Sequence, residues 1–229
     1  MNAASNNIVF LILFGSYARG DFNDNSDIDI CLIIKDNDDF INSNEQWAKF
    51  LGFQDFSKLN LTIYTESRFK LMISDGSLFI WHLKEEGKII LGNKDYFQGL
   101  MVQLKRFNRH KEEFIYHKDL ITDIEIAQSQ FNQITILDFS LLYSIIRNVL
   151  ILLSDKFGKP IFSRVECYNA VKRTCPKLPI SFSTYQELEK FKMSYDRMGT
   201  DIIPQLDKKL FDYYSSQTLE LLDFALNLF

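Results

Sequence analysis

Two aspartates, Asp27 and Asp29, stand one residue apart where an apolar run begins, in the stretch LFGSYARGDFNDNSDIDICLII. In a β-strand, residues two apart share a face and lie roughly 6.6 Å from one another along the chain. The two carboxylates therefore project together, while Ile28, Ile30 and Leu32 project the other way into a core. Like charges so placed repel unless a cation lies between them. A divalent ion is the usual solution, and hard oxygen ligands suit Mg2+, which commonly shares its shell with nucleotide phosphates. Upstream, Gly15 and Ser16 end the apolar run IVFLILF (8–14) and precede YARG, which reads as a short helix. A helix start offers backbone N–H groups and the positive end of its dipole to an anion. Gly15 lets the backbone come close and Ser16 adds a hydroxyl. Alone, Gly-Ser is a common turn and Asp-x-Asp a solvated strand end. Together, each attached to an apolar strand, they form one site, with phosphates on the turn and metal on the aspartates.

The elements that must carry this site follow from periodicity. IVFLILF (8–14) and IDICLII (28–34) are continuous apolar runs, as fits strands covered on both faces. LNLTIYT (59–65) alternates, with Leu59, Leu61 and Ile63 on one side and Asn60, Thr62 and Tyr64 on the other. Between the second and third strands, FINSNEQWAKFLGF reads as a helix stopped at Gly52. SLFIWHLKEEGKIILG reads as an amphipathic helix ended at Gly87 and then a short strand. From about residue 100 the spacing turns helical, for example Leu137, Leu141, Ile145, Val149 and Leu219, Leu222, Leu226. Pro160, Pro176, Pro179 and Pro204 separate the helices. The expectation is an α/β (α+β) domain with a short mixed sheet over residues 1–98, followed by an all-α helical bundle over residues 99–229.

Bulk composition narrows the classes. The 229 residues suffice for one large domain or two small ones. A net charge of −4, with both signs dispersed, argues against strong non-specific nucleic-acid binding. Cys31, Cys167 and Cys175 lack metal-ligand spacing and read as buried thiols in a reducing compartment. The run 8–14 is too short and too poorly flanked for a signal peptide or a membrane span, and Asp138 and Arg147 interrupt the later stretch 137–153. A soluble, cytoplasmic protein with no membrane partner is expected.

GSYARGDFNDNSDIDI closely resembles the signature of the DNA polymerase beta-like nucleotidyltransferase superfamily, in its minimal and antibiotic nucleotidyltransferase forms. The likeness extends through LNLTIYT and FIWHLKEEGKIILG, and the helical half is similar to a HEPN-type bundle through FGKPIFSRVECYNAVKRTCPKL. The resemblance implies that Gly15, Ser16, Arg19 and Ser26 serve the nucleotide, with Gly15 and Ser16 on the triphosphate and Arg19 on the turn or a phosphate. It implies that Asp27 and Asp29 are catalytic and hold two Mg2+ ions, about 3.5–4 Å apart in such sites. They align an α-phosphate for in-line attack, chemistry that rests on positioning and charge neutralisation.

Three departures from that pattern matter. The family's third carboxylate, on the third strand, falls here on Asn60, with Thr62 next on the same face. Neither can act as a base, and loss of a general base costs about 10²–10⁴-fold; Asp55 and Glu66 are the nearest substitutes. Only about seven residues precede the first strand, where such domains carry a helix, so the helical domain or a second copy could cover that flank. In the HEPN-like half no histidine follows Arg147, which argues against a nuclease and assigns Arg147 to a carboxylate partner or to closure over the nucleotide. The leading function is Mg2+-dependent transfer of a nucleoside monophosphate, AMP from ATP, to a hydroxyl on a protein, RNA or small molecule. The alternatives are a degenerate, antitoxin-like binding module and an antibiotic nucleotidyltransferase. His82 reads as structural and the basic run 105–118 as a solvated helix face. A homodimer would account for the short N-terminal flank and the 21 phenylalanines.

Overall fold

The apolar runs become strands β1 (Ile8–Phe14), β2 (Ile28–Ile34) and β3 (Leu59–Thr65), joined by β4 (Lys88–Gly92). This is a computed structural model, and it describes residues 7–22, 26–36, 49, 52, 58–196 and 206–229. The strands form a sheet in the order β3-β2-β1-β4. β1 is antiparallel to both β2 and β4, whereas β2 and β3 run parallel. A parallel pair needs a crossover. The expected crossover helix FINSNEQWAKFLGF lies outside the described residues apart from Lys49 and Gly52.

The period-2 pattern divides the sheet as the sequence requires. Ile30, Leu32, Ile34 and Leu61 cluster on one face with Leu11, Leu13, Ile28, Leu59 and Ile63. On the other face Phe10, Ile12, Phe14, Cys31 and Ile33 are buried. Helices α1 (Gly15–Arg19), α2 (Glu66–Ser74), α3 (Leu78–Glu86) and α4 (Lys94–Val102) complete this unit. Phe10 meets Phe69 of α2 and Phe97 of α4 with ring centroids 6.2 and 5.4 Å apart. Phe14 meets Phe79 of α3 edge-on at 5.5 Å. Burying such a ring fully contributes about 1.5–3 kcal/mol, so this aromatic layer fixes α3 against the end of β1.

Helices α2 and α4 were not among the expected elements, although each carries readable signals. Thr65 caps α2 by accepting the amide of Arg68, and Phe69, Met72 and Ile73 recur at helical spacing on its buried side. Asn93 caps α4 through the amide of Tyr96, ahead of Phe97, Leu100 and Met101. The chain divides into two compact units, Met1–Asn108 and Arg109–Phe229, so α4 lies wholly in the first.

The second unit is built from α5 (His110–Phe131), α6 (Ile136–Lys156), α7 (Arg164–Thr174), α8 (Phe182–Asp196) and α9 (Lys208–Leu226). A capping box between Thr135 and Asp138 starts α6. That helix is long and apolar enough to cross a membrane by length and composition alone, yet it is the packed centre of the bundle, in contact with α5, α7, α8 and α9. Phe139, Leu142, Ile146, Val149, Leu150 and Leu153 are all fully buried. Pro160 lies between α6 and α7, and Pro176 and Pro179 between α7 and α8, where a missing N–H ends helices; Pro204 is outside the described residues.

Arg147 differs from expectation. Among the described residues its Nη2 donates to the backbone carbonyl of Phe162 at 3.0 Å, where a carboxylate was expected. The carbonyl, freed where the chain turns between α6 and α7, supplies the acceptor that an acid was expected to supply. Cys31 and Cys167 are buried thiols whose pKa values desolvation pushes up to about 12, which keeps them protonated and unreactive. Cys175 is only partly buried.

Candidate active site

The site begins where β1 ends. Gly15 follows Phe14 with φ +68°, a left-handed conformation that disfavours any residue with a Cβ. The same glycine also makes room: a Cβ there would lie 2.2 Å from Asp29 Oδ2 and 3.1 Å from Asp29 Cγ. The carboxylate of Asp29 is thus seated against the backbone of the turn. Ser16 follows, and its carbonyl accepts the amides of Gly20 at 2.8 Å and Asp21 at 3.2 Å, closing α1. With five residues, α1 is too short to hold itself together and depends on what it packs against.

Strand pairing explains why Asp29 arrives at this turn. It stands opposite Phe14 in β1 and opposite Asn60 in β3. By strand alternation it belongs with Cys31 and Ile33 on the helix-covered face, but at the end of that face, and it is half-buried. Asp27 lies just outside the strand and is exposed, with Ser26 half-buried before it. The amide of Ile28, between the two aspartates, donates to the Lys58 carbonyl at 2.7 Å and ties the head of β2 to that of β3. Gly15, Ser16 and Asp29 are therefore brought together by packing and register, and Ser26 and Asp27 follow from continuity of the chain.

Asn60 sits beside Asp29 as its register partner, and its Nδ2 donates to Asp29 Oδ1 at 2.8 Å. An amide N–H here satisfies one carboxylate oxygen without a cation. A carboxylate at the same position would face Asp29 with two acceptors in contact, an arrangement that requires a cation or a proton between them. Glu66 cannot substitute. It begins α2 at the opposite end of β3, about 20 Å from Asn60 at strand rise. Its carboxylate accepts from Tyr96 Oη at 2.5 Å and pairs with Lys70 at 2.6 Å. Asp55 lies outside the described residues.

Arg19 meets two protein carboxylates. Its Nη1 donates to Glu86 Oε2 at 2.5 Å, and its Nε lies 3.2 and 3.1 Å from the two oxygens of Asp21. The same Glu86 oxygen meets His82 Nε2 at 2.9 Å, and the His82 ring stands edge-on to Phe14 at 5.2 Å. Burial opposes ionisation of Glu86, but the hydrogen bonds and charges of His82 and Arg19 outweigh it and hold its pKa below the usual carboxylate range. Glu86 lies 67 positions beyond Arg19, a pairing that no local pattern in the sequence signals. The expected structural role of His82 near a helix end takes this concrete form.

Two hard carboxylates on one edge, one exposed and one half-buried, are a donor set that suits Mg2+ completed by waters and phosphate oxygens. Among the described residues no three His, Cys, Asp or Glu side chains gather into a ready-made cage. Asp27 and Asp29 are the residues that would hold the ion.

Residues 2–96 match the family model described as polymerase beta, nucleotidyltransferase. The match spans most of the first unit and none of the second. Structures similar to this chain include a toxin-antitoxin with AMP-PNP, at 19% identity over 56% of this chain and 88% of that one, TM-score 0.32. Spectinomycin adenyltransferase from Enterococcus faecialis with ATP and spectinomycin is 16% identical over 94% of this chain and 93% of that one, TM-score 0.49. A nucleotidyltransferase-like protein from Exiguobacterium sibiricum 255-15 is 16% identical over 98% and 70%, TM-score 0.36. No curated protein matches the sequence.

Proposed function

We propose that the first unit is a nucleotidyltransferase site that binds Mg2+ with a nucleoside triphosphate and moves the nucleoside monophosphate, AMP from ATP, to a hydroxyl acceptor. The observation that carries this reading is the seating of Asp29 against Gly15, which builds the phosphate turn and the metal-binding carboxylate as one unit. The family match over residues 2–96 supports it. Gly15 and Ser16 receive the triphosphate, Asp27 and Asp29 hold the metal, and Ser26 lies at the edge of the same loop. When bound, Mg2+ neutralises phosphate charge and fixes the α-phosphate for in-line displacement. The acceptor oxygen forms a bond to the α-phosphorus, the bond to the β-phosphate oxygen breaks, and pyrophosphate leaves. The acceptor proton passes to solvent, since Asn60 cannot take it. We extend the proposal to the second unit as a HEPN-like bundle.

Asn60 favours a second reading, in which the site binds nucleotide and no longer turns over. The Asn60–Asp29 hydrogen bond supports it by occupying one Asp29 oxygen with an amide. Pyrophosphate release with Mg2+–ATP across a panel of hydroxyl acceptors separates the two. Turnover that Asp27→Asn abolishes establishes the transferase. Nucleotide binding with no turnover in wild type, and turnover created by Asn60→Asp, establishes the second reading.

A further inference from the structure

We infer that Arg19 acts as a positioning residue: with Glu86 and His82 it locks the five-residue helix α1, and so the Gly15–Ser16 turn, in the geometry that receives a nucleotide. This inference rests on the nucleotide reading of the site and chooses the turn over a phosphate as what Arg19 serves. The geometry is specific. Both Arg19 and His82 converge on a single oxygen, Glu86 Oε2, at 2.5 and 2.9 Å. The Arg19 and Glu86 side chains are only 21% and 13% exposed, so neither is a freely solvated surface group. The Nε of Arg19 is turned to Asp21, just past the end of α1. One planar guanidinium therefore clamps both the tail of α1 and the chain that follows it to α3. α3 is in turn fixed to β1 by Phe14, which packs on Phe79 and His82 immediately before Gly15. The loop of contacts closes: β1 delivers Gly15, α1 carries it, and α3 holds α1 from behind. A short helix needs such an anchor.

The two roles open to Arg19 predict opposite signs for one substitution. Glu86→Gln removes a negative charge near a polyanion site and releases the guanidinium. Were Arg19 a phosphate ligand, the variant would bind Mg2+–nucleotide as well as or better than wild type. As a positioning residue, it binds worse, by roughly tenfold or more, the scale on which outer-shell partners act. The test uses the full chain as wild type, Glu86→Gln and Arg19→Lys, which keeps the charge but loses the fork. It measures Kd for Mg2+ with a non-hydrolysable ATP analogue, the thermal midpoint, and amide hydrogen exchange at Gly20 and Asp21, whose protection reports closure of α1. The expected result is weaker binding and faster exchange at these amides in both variants, with the thermal midpoint little changed. Unaltered or tighter binding in Glu86→Gln overturns the inference. If wild type binds no nucleotide, the transferase reading fails and exchange alone decides: unchanged exchange at Gly20 and Asp21 in both variants overturns the clamp as well.

Discussion

Replacing Gly15 by alanine tests the central geometry, and its cost can be worked in parts. The first part is conformational: φ +68° costs a residue with a Cβ about 1–2 kcal/mol. The second is steric. The new Cβ would lie 2.2 Å from Asp29 Oδ2, and Cγ at 3.1 Å and Cβ at 3.3 Å are also tight. Asp29 is short, so it cannot simply swing its tip away; it must leave its rotamer and break the bond from Asn60. Overpacking of this kind costs about 1–3 kcal/mol. The sum, about 2–5 kcal/mol, is a large fraction of the 5–15 kcal/mol typical of a folded domain. It corresponds to a fall of roughly 8–20 °C in the melting midpoint of the first unit. The decisive assay is a double-mutant cycle by thermal or urea unfolding, with Gly15→Ala made in wild type and in an Asp29→Ala background. Removing the carboxylate removes the 2.2 and 3.1 Å contacts and leaves only the Asp29 Cβ at 3.3 Å, so the cost falls towards about 1–2 kcal/mol. Equal costs in both backgrounds would refute the contact between turn and carboxylate, and no cost in either would refute the left-handed turn as well.

Further predictions concern the neighbours of that contact. Asn60→Asp sets a second carboxylate against Asp29: its melting midpoint falls in EDTA and recovers with Mg2+, and pyrophosphate release rises by about 10²–10⁴-fold if the missing base limits turnover. A midpoint indifferent to Mg2+ would show that the two positions do not share an ion. His117 is 5% exposed with Nδ1 lacking a hydrogen-bond partner among the described residues, and burial lowers its pKa below 6.5. The unfolded chain therefore takes up its proton first as pH falls, so the stability this neutral imidazole permits is complete above pH 6.5 and is lost as pH drops towards the folded pKa. His117→Leu should flatten the dependence of the urea midpoint between about pH 7 and 5.5; an unchanged slope would assign it to other groups.

How much of this was legible in the sequence depends on the range over which each feature is encoded. The Gly15–Ser16 turn and the place of Asp29 in β2 were readable because turn and strand are local, whereas Asp27 falls just outside β2; β1, β2, β3 and the α3–Gly87–β4 passage follow the same logic. Helices α2 and α4 were readable too, through the Thr65 and Asn93 caps, but their nine-residue apolar spacing is short enough to hide among strands. The pairing of Arg19 with Glu86 was not, because the sheet and Phe14 bring together residues that are remote in the chain. Asn60 illustrates an intermediate case. Its identity showed that a carboxylate was missing, whereas the direction of its amide, donating to Asp29, follows only from the parallel register. Arg147 shows a further case: an acid was expected as its partner, and among the described residues a backbone carbonyl at the α6–α7 turn accepts its Nη2.

The most direct measurement is a calorimetric titration of Mg2+ with a non-hydrolysable ATP analogue into wild type and Asp27→Asn. The account predicts saturable, Mg2+-dependent binding in wild type that Asp27→Asn abolishes while the protein stays folded. Binding of equal strength in both would contradict the assignment of the aspartates, and no binding in wild type would contradict the nucleotide site itself.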